Sequence, residues 1–106
     1  MSEQYRQGDV LIERIDAIPP AAAPAVHQGR WILAKGEVTG HTHSVAGEHA
    51  ALLLLELDNE MEMYLRVHTA TEVTHEEHGP ITLAPGDYRI RRQREYSPEQ
   101  IRRVAD

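Results

Sequence analysis

Seven histidines stand in a chain of 106 residues, and four of them fall in two tight clusters, Gly40-His41-Thr42-His43 and His75-Glu76-Glu77-His78. On a β-strand, residues two apart point to the same side. His41 and His43 can therefore present both imidazoles to one point, which is what bidentate capture of a metal needs. His75 and His78 are three apart and would face opposite ways on a regular strand, but a turn or bulge leading into Gly79-Pro80 can bring them together. The chain has no cysteine, which removes disulfides, thiolate zinc sites, iron–sulfur clusters and cysteine nucleophiles at once. Any metal must then be held by histidine and carboxylate, a donor set that suits Zn, Fe, Ni, Mn or Cu without choosing among them. His41 and His43 are the expected core ligands. His75 or His78, with Glu48 or Glu77, would complete the set around a divalent ion.

Each cluster also has a plain alternative. Two histidines on a polar strand are often just solvated, and His-Glu-Glu-His before a Gly-Pro turn can be a self-neutralising loop. His27, His49 and His68 read as ordinary surface or hydrogen-bonded residues. The His75–His78 spacing is one residue short of the zinc-protease helix pattern, and Pro80 spoils a helix there. The serines, Ser2, Ser44 and Ser97, lie in no nucleophile-elbow context. No glycine-rich phosphate loop is present, and nothing singles out two carboxylates for glycoside hydrolysis.

Gly36, four intervening residues, His41-Thr42-His43, four more and Glu48 resemble the first metal-binding motif of the cupins. That resemblance implies a small β-barrel in which two histidines and a glutamate hold a divalent metal. The cupin spacing has one more residue after its glycine, and a glycine where this chain has Leu55. The second cupin motif is matched poorly by Pro85-Gly86-Asp87-Tyr88-Arg89, where its histidine is missing, so His75 or His78 stands as the replacement. The wider pattern, with GHTH, HEEHGPI, PGDY and QREYSP, also resembles a small uncharacterised bacterial protein family.

The elements that must carry these residues are β-strands. Short apolar or alternating runs recur every eight to twelve residues between Gly, Pro, Asp or Asn, a spacing that belongs to a sandwich or barrel. Strands are expected near 8–15, 30–36, 41–46, 50–57, 60–67, 70–75, 80–84 and 87–94. The clearest pair is 50–57 with 60–67, joined by Asp58-Asn59, two residues that tolerate the positive φ angles of a tight hairpin turn. In that register Leu54 faces Met63 and Leu52 faces Leu65, giving a core face with Ala50, Met61 and Val67. The opposite face carries Leu53, Leu55, Leu57 and Tyr64, too apolar to be wholly solvated. A second sheet or a second copy of the chain should cover it, so a homodimer through the 50–67 hairpin is one expectation.

Pro19 to Pro24 reads as an extended surface loop without ladder hydrogen bonds. Ala84-Pro85-Gly86-Asp87 predicts a type II turn joining 81–83 to 88–90 as a second hairpin. Ser97-Pro98-Glu99-Gln100 has an N-cap serine, a first-turn proline and a capping-box glutamine, so a short helix is expected over 98–105, docked by Ile101 and Val104. The fold class is thus all-β, one small barrel or sandwich domain over 1–106, cupin-like or otherwise, with a short C-terminal helix.

Size and composition agree with one globular domain: hydrophobic residues make up 41% and charged residues 26%, close to the globular average. The N-terminus is polar and the longest apolar run is Ala50 to Leu55, far below a spanning helix, which points to a soluble, cytoplasmic protein without membrane insertion. A net charge of −6 conceals an uneven distribution. Between Glu37 and Asp87 the only basic residue is Arg66, whereas Arg89, Arg91, Arg92, Arg94, Arg102 and Arg103 crowd the C-terminal end. The strand holding Arg89, Arg91, Arg92 and Arg94, flanked by Tyr88 and Tyr96, can grip an anionic partner such as a phosphate backbone. An acidic chain argues instead for a charge-protected edge strand, or one paired with the acidic middle. The leading reading is a metal-binding protein, with enzymatic use of the metal left open. Its rival is a non-catalytic interaction module or accessory subunit of a bacterial assembly, and an accessory role with nucleic acid comes third.

Overall fold

The computed structural model describes residues 3–26, 29–35, 41–76 and 78–92. Among these residues ten strands follow one another: β1 (Gln4–Gln7), β2 (Val10–Ile15), β3 (Ala23–Pro24), β4 (Arg30–Lys35), β5 (Thr42–Ala46), β6 (Ala50–Leu57), β7 (Glu60–Val67), β8 (Thr71–Val73), β9 (Ile81–Leu83) and β10 (Gly86–Arg92). Six of them form an antiparallel sheet in the order β1-β2-β10-β7-β6-β3. The pairs β4-β5 and β8-β9 form two smaller ladders, joined by an antiparallel bridge between Ser44 and Thr74. The large sheet ends at β1 and β3, so among the described residues it does not close into a barrel, and these residues form an all-β sandwich. The segment expected to form the C-terminal helix, 98–105, lies outside the described residues, as do Arg94, Tyr96, Ile101 and Val104. No helix among the described residues is long and apolar enough to cross a membrane.

Alternation sets the core. Val10 and Ile12 of β2, Ala50 and Leu52 of β6, Leu65 and Val67 of β7, and Tyr88 and Ile90 of β10 face the smaller ladders, which contribute Trp31, Leu33, Val45, Val73 and Leu83. The indole of Trp31 donates to the carbonyl oxygen of Ala50 at 2.7 Å, locking β4 onto the large sheet. The β6–β7 hairpin has the expected register, with Leu52 opposite Leu65 and Leu54 opposite Met63. Asp58 and Asn59 form its turn with φ of 50° and 67°. Asn59→Ala, which keeps the backbone but loses the side chain best suited to a left-handed conformation, should cost about 1 kcal/mol in urea denaturation. An unchanged midpoint would show that the turn relaxes freely.

The outer face of that hairpin is covered by the chain itself. Ile18 and Ala22 bury Leu53 and Tyr64, with Ile15, Ala51 and Leu55 packed around them, while Leu57 stays half exposed. The alanine-proline segment is therefore no free loop: Ala23 and Pro24 pair with Leu54 and Leu53, and the Ala25 amide donates to the Leu52 carbonyl. Proline is tolerated here because β3 is an edge strand, where a missing N–H breaks no second ladder. The expected hairpin between 81–83 and 88–90 does not form. Both sides of β10 are taken, by β2 and by β7, so β9 pairs with β8 instead. The Pro85-Gly86 segment still makes a sharp passage, held by Arg14, whose Nη2 donates to the Pro85 carbonyl at 3.0 Å, and by the Tyr88 hydroxyl, which donates to the Ala84 carbonyl at 2.7 Å.

Candidate metal centre

The Ser44–Thr74 bridge decides the site. The two residues exchange both backbone hydrogen bonds, at 3.0 and 2.9 Å. In an antiparallel ladder the next pair outward is then His43 with His75, and the next Thr42 with Glu76. The two histidine clusters, more than thirty residues apart in sequence, thus meet at one end of the sandwich. The rings of His43 and His75 lie 4.3 Å apart centre to centre, those of His75 and His78 4.6 Å, and those of His41 and His75 5.5 Å, edge to face. A bulge in β4 between Ile32 and Ala34, opposite Ser44 and His43, adjusts the strand beside the cluster.

His41, His75 and Glu76 each offer one ligand atom, and these atoms lie within 4.8 Å of one another. Glu76 is exposed but anchored: its Oε2 accepts the Thr42 amide at 3.0 Å. Hydrogen bonds from its own amide and that of Thr42, with the nearby imidazoles of His41 and His75, hold its carboxyl below the usual carboxylate range. The His75 Nδ1 accepts the His78 amide at 3.2 Å, the turn that brings the second pair of histidines together.

His43 is different in kind. Only 4% exposed, it lies with its Nδ1 2.8 Å from the Oε1 of Gln7. Gln7, itself buried, donates both amide hydrogens, to the carbonyls of Val73 at 3.0 Å and Gly79 at 2.8 Å. Its oxygen can then only accept, so His43 carries its proton on Nδ1 and leaves Nε2 as a lone pair. Burial and the neighbouring His75 push the His43 imidazole down to about 4, with Asp9 pulling the other way and losing. The ring is neutral at pH 7.

The expected ligands separate accordingly. His41, His43, His75 and His78 are brought together. Glu48 is not with them: it sits exposed on the turn beyond the far end of β5, 4.0 Å from the Nε2 of His49, and Glu77 lies outside the described residues. The carboxylate grouped with His41 and His75 is Glu76, so the cupin spacing, which relies on Glu48, does not describe this site. Sequence reasoning also passed over Gln7, Gly8 and Asp9 of the β1–β2 turn, which packs against the cluster. The arginine strand is largely neutralised within the chain. Arg89 pairs with Glu13 at 3.0 Å and Arg92 with Asp9 at 3.3 Å. Arg89, Arg91 and Arg92 also share their groove with Glu60 and Glu62.

A family described as a domain of unknown function (DUF8820) matches residues 6–93. The chain belongs to the DUF8820 family. The match runs from just before Gln7 to just past Arg92, so it contains every residue of the histidine cluster and of the turn against it. No curated protein and no solved structure matches the chain.

Proposed function

We propose that this DUF8820 domain binds a divalent metal ion through His41, His75 and Glu76. The observation that carries the reading is the approach of three ligand atoms to within 4.8 Å of one another, two from imidazoles and one from an ionised carboxylate held by the Thr42 amide. Zn, Fe, Ni and Mn all accept such a set. Three protein ligands leave coordination positions open, and a metal held there supplies Lewis-acid or water-activating chemistry. Glu76→Gln removes the charge and keeps the shape. Zinc affinity measured by competition against a chelator should fall by about 100-fold or more, since even outer partners of metal ligands are worth 10- to 100-fold. Equal affinity in the variant would end the proposal.

The hydrogen bond at His75 gives a second readout. Its Nδ1 accepts the His78 amide, so a metal on Nδ1 displaces that donor, and a metal on Nε2 moves the ring proton to Nδ1 with the same result. Adding zinc should therefore shift and deprotect the His78 amide in NMR. An amide that stays put while zinc binds would place the metal elsewhere.

A second reading, a non-catalytic interaction module or accessory subunit, is favoured by one observation: His43 is buried and hydrogen-bonded through Nδ1 to Gln7, as a structural histidine is. In that reading the exposed Leu57, or the arginine strand with an anionic partner, makes the contact. Protein purified without a tag that takes up no metal on reconstitution would favour it over the first.

A further inference from the structure

We propose, resting on the metal reading of His41, His75 and Glu76, that an ion held there is a clasp across the joint between the two smaller ladders, and that its occupancy sets how often this end of the sandwich opens. The joint has little backbone pairing. Ser44 of β5 and Thr74, next to β8, exchange their two hydrogen bonds, and among the described residues no other backbone pair joins β4-β5 to β8-β9. In an antiparallel ladder the next hydrogen-bonded pair lies two residues on, Thr42 with Glu76. That backbone pair does not form. The Thr42 amide goes instead to the Glu76 side chain, to Oε2 at 3.0 Å. The ladder therefore ends after one bridge, and a carboxylate stands where the next carbonyl partner would be.

What else holds the joint lies toward the core. Val45 and Val73 have no exposure, and Gln7 ties the 73–79 segment by donating to the Val73 and Gly79 carbonyls while its oxygen meets the His43 Nδ1. Toward solvent stand the three ligand groups, His41 and His75 half-buried and Glu76 exposed. They are divided between the two sides of the joint. His41 immediately precedes β5, whereas His75 and Glu76 follow Thr74. One ion holding all three atoms, which already lie within 4.8 Å of one another, ties the two segments together beyond the point where the ladder stops. Segments that share few backbone hydrogen bonds open locally, below the free energy of global unfolding. Opening here parts His41 from the other two ligands and releases the ion, so metal binding and joint closure are one linked equilibrium.

The test is amide hydrogen exchange followed by NMR on the full chain, in chelator and in Zn(II) held at about 100 times its dissociation constant. In chelator the Ser44 and Thr74 amides should exchange about 10-fold or more faster than the protected amides of the central strands β7 and β10, which is the mark of local opening. Zn(II) should slow both by about 100-fold, because the open joint does not bind the ion. His41→Ala leaves the remaining ligands on one side of the joint, so its Ser44 and Thr74 amides should exchange equally fast in zinc and in chelator. Glu76→Gln keeps an oxygen for the Thr42 amide and should lose the slowing at the same zinc concentration, which keeps the test valid should His41→Ala fail to fold. Zinc that does not bind overturns the metal reading and the clasp with it. Zinc that binds while Ser44 and Thr74 exchange as fast as in chelator overturns the clasp alone. So does a joint that is already as slow in chelator as the central strands, or a His41→Ala protein that zinc slows as much as the wild type.

Discussion

Replacing Gln7 by Leu is expected to destabilise the protein by about 3 kcal/mol, because each buried polar group left without a partner costs about 1–3 kcal/mol. Two such groups appear: the carbonyl of Val73, a residue with no exposure, and the Nδ1–H of His43. The Gly79 carbonyl is nearer solvent and can turn to water. Leucine nearly matches the volume removed, so a cavity adds little. In a domain of this size the loss should lower the melting midpoint by about 10 °C or more. The variant should also weaken the tie between β1, β5 and the 73–79 segment, since one side chain joins all three. Gln7→Glu sharpens the test: it still accepts from His43 but offers no hydrogens to the two carbonyls, and should lose at least as much. A Gln7→Leu midpoint within about 2 °C of the wild type would mean that water takes over the amide's three contacts.

That one glutamine shows where sequence reading stops. The 50–57 and 60–67 strands were legible because alternation and an Asp-Asn turn are local, and they set the register without help from the rest of the chain. The histidine clusters were legible for the same reason. Their meeting was not, because it depends on Ser44 pairing with Thr74, thirty positions away, and nothing in either short segment specifies the other. Had that pairing been known, the ladder arithmetic would have placed Glu76 beside Thr42 and set Glu48 aside. Gln7 lies in a polar N-terminal run, Gln-Tyr-Arg-Gln, with no apolar alternation to mark β1 as a strand. Its inward turn is rewarded only by groups 36, 66 and 72 positions away in sequence. The misread hairpin at 81–90 has a topological cause: Pro85-Gly86 correctly marks a sharp passage, but partner choice was settled by β2 and β7 occupying both edges of β10. The apolar outer face of the β6–β7 hairpin rightly demanded a cover. It was found in Ile18 and Ala22, in a segment whose prolines argued for a loop, because an edge position forgives the lost donor.

Acidification should cost the metal-free protein about 3 kcal/mol between pH 6.5 and pH 4, at about 1.36 kcal/mol for each pH unit separating the two states of one histidine. The sign follows from His43. In the unfolded chain its imidazole titrates near the ordinary histidine value of about 6.5. In the folded chain burial, and then the neighbouring His75, hold it down to about 4. Above pH 6.5 neither state carries the proton and the full stability is present. As the pH falls below 6.5 the unfolded chain takes up a proton that the native chain refuses, so stability declines until about pH 4, where the native ring accepts it too. Because His43 is only 4% exposed, solvent screening takes little from this figure. Urea denaturation in the presence of chelator, at half-unit steps from pH 7 to 4, measures the slope. His43→Gln should start less stable at pH 7 and decline less steeply, since it removes the group responsible. A decline in His43→Gln as steep as in the wild type would assign the acid sensitivity to other groups, and with it would go the picture of His43 as a ring kept neutral by its surroundings.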